Sequence, residues 1–324
     1  VKMRRLAMAL LLAVSGVAWV PSASASDNNA TKAADAPADE FAVQFGKLRA
    51  QDDYLQKIGW RLRTGNAAFC SRPPADIGLM LQDAAAYPDI SAVRRVNAVN
   101  GDFFVHSVVP GSPAELAGLK PAMEVVSVGS TELASLDVDA KEKWRRLETV
   151  NAMIRSELAE TGTVYVTVSH LQKPVEIRGI AACPGRFELI TGLGTASANR
   201  ERVAIGSDFV GLSYPEEEFA AVLAHELAHI LLQHPDWLDA NGRGRQNVRN
   251  TEREADQLMP WLLANAGYDP AAAVRFMKRW GPKHSGGLFR KRTHDGWDER
   301  AETIEQQLPL IKAATNDQGQ ADWR

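Results

Sequence analysis

Ala224-His225-Glu226-Leu227-Ala228-His229 is the stretch that most restricts what this chain can become. At 3.6 residues per turn, His225 and His229 leave one face of a helix, one above the other. Two imidazoles at that spacing can hold one tetrahedral Zn²⁺, with Glu226 beside an open coordination position. A carboxylate placed there can take a proton from water and deliver it to a leaving amine. The flanks predict the helix itself. Ser213-Tyr214-Pro215-Glu216 reads as a capping box with a proline near the helix start, and Glu217 and Glu218 suit the positive end of the dipole. Phe219, Val222, Leu223, Leu227, Ile230 and Leu231 make a broad apolar surface, so the helix is expected to be mostly buried. Two unpaired histidines and a glutamate would be costly in that setting, and a metal removes the cost.

A third ligand is expected from Asn250-Thr251-Glu252-Arg253-Glu254-Ala255-Asp256. Glu252 and Asp256 share a helix face. Glu252 can complete a His₂Glu set, and Asp256 can accept the free ring N–H of a ligating histidine. Taken alone, the segment reads first as a solvated, charged helix start; the histidine motif upstream is what favours the metal reading. Glu254 is the rival ligand, but it lies about 200° round the helix from Glu252 and is expected to face away. His234, at i+5 from His229, is expected to face elsewhere and to be structural.

These residues, with Ala266-Gly267-Tyr268-Asp269-Pro270, Arg292-Thr293-His294 and Arg300, resemble the HtpX-like and CAAX-prenyl-protease-like gluzincin metallopeptidases. Soluble periplasmic members that degrade defective outer-membrane proteins are the nearer likeness, over about residues 185–312. The resemblance implies one Zn²⁺ on His225, His229 and Glu252, with Glu226 as general base and polypeptides as substrates. It implies that His294 can approach the metal and restrain activity. His294 or Arg300 could instead stabilise an oxyanion, and His284 is a weaker candidate for the fourth ligand. Gluzincins also carry an edge strand that pairs with substrate; Arg202 to Asp208 is the segment expected to supply it.

Lys2, Arg4 and Arg5 precede an apolar run from Leu6 to Val20 and an Ala23-Ser24-Ala25 exit. This reads as a signal peptide, residues 1–25, cleaved before Ser26. An uncleaved anchor is the alternative, though the run is short for a span. The expected destination is the periplasm. Residues 26–40 read as a disordered tether. Phe41, Phe45, Leu48, Leu55, Ile58 and Leu62 recur at helical spacing, so 41–70 is expected to supply a first helix of the peptidase domain, ending near Arg63. Acidic residues number 40 and basic 37, which gives no electrostatic case for nucleic acid.

Cys70 and Cys183 are the only cysteines, and in an exported protein such a pair reads as a disulfide. That bond would clamp the neck of a domain inserted at residues 71–182. Within it, Ser112-Pro113-Ala114-Glu115-Leu116-Ala117-Gly118-Leu119, the strands around it and an amphipathic helix from Lys141 to Leu158 resemble a bacterial protease-type PDZ domain. Where that pattern has glycine after proline, this chain has Ala122. The resemblance implies a peptide C-terminus held by backbone N–H groups near Ile77-Gly78-Leu79-Met80, with the groove open or occluded. About 22 residues separate this loop from the next clear strand. Residues 183–324 are expected to form the metallopeptidase domain, with Pro260 kinking the Glu252 helix and Gly281–Gly287 a mobile loop. A helix from Trp297 to Ala314 and a polar tail would end it.

The fold expected is α+β: a mainly helical zincin-type domain with a small sheet, plus a PDZ-like β domain. The function expected is a zinc endopeptidase acting on misfolded or unassembled envelope proteins. The alternative is a PDZ-containing chaperone or regulator of envelope assembly with little proteolysis. Either role leaves room for peripheral association with the outer-membrane assembly machinery.

Overall fold

One long helix, α1 (Ala36–Gly65), carries two apolar stretches that serve two different cores. Its second half puts Leu55, Ile58 and Leu62 among Phe187, Phe219, Leu223 and Leu262. Its first half puts Phe45 among Ala84, Val93 and Phe104. The computed structural model describes residues 36–171, 173–284 and 295–324. The expected signal peptide and residues 26–35 of the expected tether lie outside them. Residues 36–40, also expected to be tether, are the first turn of α1. Pro37, Asp39 and Glu40 are residue types that suit a helix start, which composition alone did not weigh. About 52% of the structure is helical, with small sheets, an α+β arrangement.

The chain then forms β1 (Ala75–Asp76), β2 (Leu79–Asp83), α2 (Ile90–Asn97), β3 (Phe103–Val108), α3 (Pro113–Leu116), β4 (Val125–Val128), β5 (Thr131–Glu132), α4 (Trp144–Thr161), β6 (Thr163–Val168), β7 (Val175–Arg178) and β8 (Ile180–Ala181). β2 pairs antiparallel with β3, and β5-β4-β6-β7 form a four-stranded antiparallel sheet. Val164, Val166 and Val168 alternate inward on β6 and meet Val150, Ile154 and Leu158 of α4 and Leu119 in a separate apolar core. The long gap before β3 is filled by α2, whose Val93 packs on α1's Phe45. Ala122 takes φ +66°, the left-handed region in which glycine would be unstrained.

Both ends of this segment meet at one place. β1 pairs antiparallel with β8, the Cys183 N–H donates to the Arg63 carbonyl at 2.9 Å, and Arg63 binds Asp76 at 2.6 Å. Cys70 and Cys183 are joined by a disulfide.

The remainder comprises β9 (Arg186–Ile190), β10 (Ala196–Ala198), β11 (Arg202–Gly206), α5 (Glu216–Leu231), α6 (His234–Asn241), α7 (Arg245–Asn265), α8 (Ala272–His284), α9 (Trp297–Glu305) and α10 (Gln307–Ala314). The sheet order is β10-β11-β9, with β11 parallel to β9 and antiparallel to β10. β11, at 202–206, is therefore central, and β10 and β9 lie at the edges, β10 being the one beside the cleft described below. Sequence pattern could not separate them, because an edge and a central strand of this length alternate alike. Gly59 on α1 lets the Phe187 ring of β9 approach; a Cβ there would lie 2.4 Å from it.

α7 includes Pro260 and continues to Asn265, with Leu262 and Leu263 fully buried. Three local expectations change. Ser213 does not cap α5: its hydroxyl donates to the Val210 carbonyl, and Pro215 holds the N-cap position. Residues 281–284 finish α8, the rest of the expected glycine-rich loop lying outside the described residues. The C-terminal segment docks: the Asn265 side chain donates to the Ala321 carbonyl and accepts its N–H.

The disulfide closes a loop of 113 residues. Its loss should cost up to about 4–5 kcal/mol in the chain-entropy account. Urea unfolding with and without reductant, and of Cys70→Ser, should show the midpoint falling; coincident midpoints would count against a stabilising clamp.

Candidate metal centre

α5 can be buried because its acidic first turn is paired on three sides. Glu216 binds Lys57 of α1 at 2.8 Å, Glu217 binds Arg275 at 2.6 Å, and the buried Glu218 accepts from Arg279 of α8. From sequence, Glu216 reads as part of a capping box and Glu217 and Glu218 only as favouring the helix dipole. Below them Phe219, Ala220, Leu223, Ala224, Leu227 and Ala228 are shut from solvent. α7 packs alongside.

The packing brings together the three groups read as ligands. His225 Nε2 and His229 Nε2 lie 3.3 Å apart. Glu252 of α7 reaches both, Oε2 at 3.4 Å from His225 Nε2 and Oε1 at 3.5 Å from His229 Nε2. One donor atom from each falls within 4.8 Å of the others. Two ring nitrogens facing each other cannot both be satisfied by one another, and the carboxylate adds only acceptors. That donor set fits a cation, and its N₂O chemistry suits a zinc-type metal.

Asp256 and Arg300 lie behind the ligands. Asp256 is 1% exposed, with Oδ1 3.2 Å from His225 Nδ1. Arg300, also buried, donates to it twice, at 2.6 and 2.7 Å. Burial opposes ionising Asp256, but the guanidinium outweighs it and holds the carboxyl below its usual range. Burial likewise opposes charging His225, yet Asp256 and Glu252 push it up to about 10. Burial, then the neighbouring His225, pushes His229 down to about 3. Arg300 was read, with His294, as able to stabilise an oxyanion. It lines the cleft, and its guanidinium pairs with Asp256, with Nη2 3.9 Å from Glu252 Oε2.

His234 is a correction. It does not face elsewhere: its Nδ1 lies 2.9 Å from His229 Nδ1, and its Nε2 2.9 Å from Oε2 of Glu254, which is exposed and not among the three grouped ligands. Angles counted along a straight helix failed because α5 ends at Leu231, and Gln233 turns the chain back in a left-handed conformation, φ +56°. No sequence signal short of the histidine itself marked this.

A cleft of about 630 Å³ opens over the centre. Residues 194–200, including edge strand β10, form one wall; Val222, Leu238 and Phe276 supply apolar surface, and Glu226 lines the cleft with His225, His229 and Glu252. His294 lies outside the described residues, and His284 is placed only as the last residue of α8. Gly78, Leu79 and Met80 are not among the residues that line the cleft. The Gly78 N–H donates to Asp76 Oδ1 at 3.0 Å, while Leu79 and Met80 pair with Val108 and Ser107. An incoming carboxylate would have to displace Asp76 to reach that N–H.

Because Arg300 is buried, Asp256→Asn should destabilise by about 3–5 kcal/mol through an uncompensated charge. Asp256→Asn with Arg300→Met should recover part of this. A double-mutant cycle in urea with no coupling would show that the pair is not what holds α7 to α9.

A family model, Peptidase family M48, matches residues 192–241. No curated protein matches the chain. The matched stretch covers β10, β11, α5 and α6, and so includes both histidines and Glu226. Glu252, Asp256 and Arg300 lie beyond it and join the site through tertiary packing. The match and the ligand geometry together support a metallopeptidase of the M48 type.

Proposed function

We propose that this protein is a zinc endopeptidase of the cell envelope, acting on misfolded or unassembled polypeptides. The observation that carries the reading is the convergence of His225, His229 and Glu252 beside Glu226 at the floor of an open cleft. A zinc ion held by those three residues would supply Lewis acidity toward a scissile carbonyl and lower the pKa of a nearby water. Glu226 then serves as the base that takes the water's proton and returns it to the departing amine. A substrate would lie extended along β10, adding main-chain hydrogen bonds as a further strand. The apolar wall at Val222, Leu238 and Phe276 favours side chains that a folded protein keeps inside. Arg300 and Asp256 keep the His225 ring oriented. In this proposal His294 restrains access to the metal.

Export rests on the basic, apolar and Ala-x-Ala sequence of residues 1–25, together with a disulfide, which needs an oxidising compartment. Among the described residues no helix is long and apolar enough to cross a membrane. We read the module between β1 and β8 as PDZ-like, with β2 and α4 flanking its groove. Arg146 of α4 binds Asp83 of β2 across that groove at 2.6 Å, so the module is proposed to serve as a docking unit whose carboxylate loop is held closed by Asp76.

Glu226→Gln should retain about one zinc per chain by metal analysis yet lose about 10²–10⁴-fold in casein hydrolysis. A chelator should abolish the wild-type activity, and Zn²⁺ should restore it. Unaltered hydrolysis by Glu226→Gln, or hydrolysis indifferent to the chelator, would refute the proposal.

A further inference from the structure

A histidine that ligates through Nε2 must have its other nitrogen anchored, since that partner fixes the tautomer and the ring plane. For His225 the anchor is Asp256. For His229 it is a second histidine. His234 Nδ1 is 2.9 Å from His229 Nδ1, the rings lie 4.9 Å apart, and His234 Nε2 is 2.9 Å from Glu254 Oε2.

Charge and valence set the direction of this chain. An ionised carboxylate only accepts hydrogen bonds, so His234 Nε2 carries the hydrogen that meets Glu254. The other nitrogen of a neutral His234 is then a lone pair and can only accept. His229 Nδ1 must therefore donate, which leaves His229 Nε2 unprotonated. That atom is the one 3.3 Å from His225 Nε2 and 3.5 Å from Glu252 Oε1.

We propose that Glu254 and His234 are positioning residues that hold His229 in its metal-binding tautomer. The inference rests on the metal reading above and deepens it. His234 is 2% exposed and spends both ring nitrogens on these two contacts, which apolar packing alone would not require. The backbone supports the arrangement: the left-handed Gln233 brings His234, first residue of α6, back under the end of α5. Glu254 reaches His234 from α7, two residues from Glu252, so one helix supplies both a ligand and the distal end of the relay.

The test is Zn²⁺ affinity of the full chain, measured by competition with a chromophoric chelator, with circular dichroism as the fold control. The Glu254 side chain is 59% exposed, so Glu254→Ala can be made without emptying the core. It should weaken Zn²⁺ binding about tenfold, and His234→Ala roughly 10–100-fold. His234→Asn, whose Oδ1 stands where the accepting Nδ1 was, should bind within about threefold of wild type. Glu254→Ala placed on His234→Asn should then cost nothing more, because Glu254 acts through the proton of His234. Equal losses from Glu254→Ala in both backgrounds would mean simple charge attraction and would overturn the relay. Wild-type affinity in both Glu254→Ala and His234→Ala would overturn it as well. Failure of the wild-type chain to bind Zn²⁺ would instead remove the metal reading, and this inference with it.

Discussion

Asp256 is a carboxylate with almost no access to water, between a guanidinium and an imidazole. An ion in that position is tolerable only while its partners stay in place. The partners come from α9 and α5, and Asp256 comes from α7, so one buried charge sets the relative register of three helices. Sliding α7 by a turn would strand both Asp256 and Arg300. The same register delivers Glu252, one turn earlier on α7, to the two histidines of α5. The candidate metal site thus depends on how the charges behind it pair.

The site also rests on α1, which neither ligates nor lines the cleft. Its Leu55, Ile58 and Leu62 back α5 and the small sheet, while Lys57 pairs with Glu216 at the start of α5. Farther along, Asp52 meets the buried His106 of β3 at 3.0 Å. One helix therefore fixes the module between β1 and β8 against the half that carries the histidines. The disulfide and the Arg63–Asp76 pair close the same junction from the other side.

Much of this was legible because the relevant groups are near in sequence. His225 and His229 share a helix face by periodicity, and Glu252 and Asp256 share another. The cysteines paired as an exported chain with two cysteines would pair them. The errors lie where geometry departs from a regular element. His234 was placed by extrapolating a helix that stops at Leu231. Arg300, read with His294 as a residue that could stabilise an oxyanion, lines the cleft and also pairs with the buried Asp256, a partner no local pattern indicated. β10 was passed over as an edge because three residues, Ala196-Ser197-Ala198, carry too little pattern to read.

Sequence by itself determined the chemistry on offer: two histidines one turn apart with a glutamate between them, an acidic helix to follow, two cysteines and an α+β pattern. These follow from periodicity and residue type, which are local. Only the tertiary structure decided which carboxylate faces the histidines, that Arg300 serves Asp256, and that Glu254 reaches His229 through His234. Those outcomes depend on pairing every buried charge among helices distant in the chain, a condition that no local stretch contains.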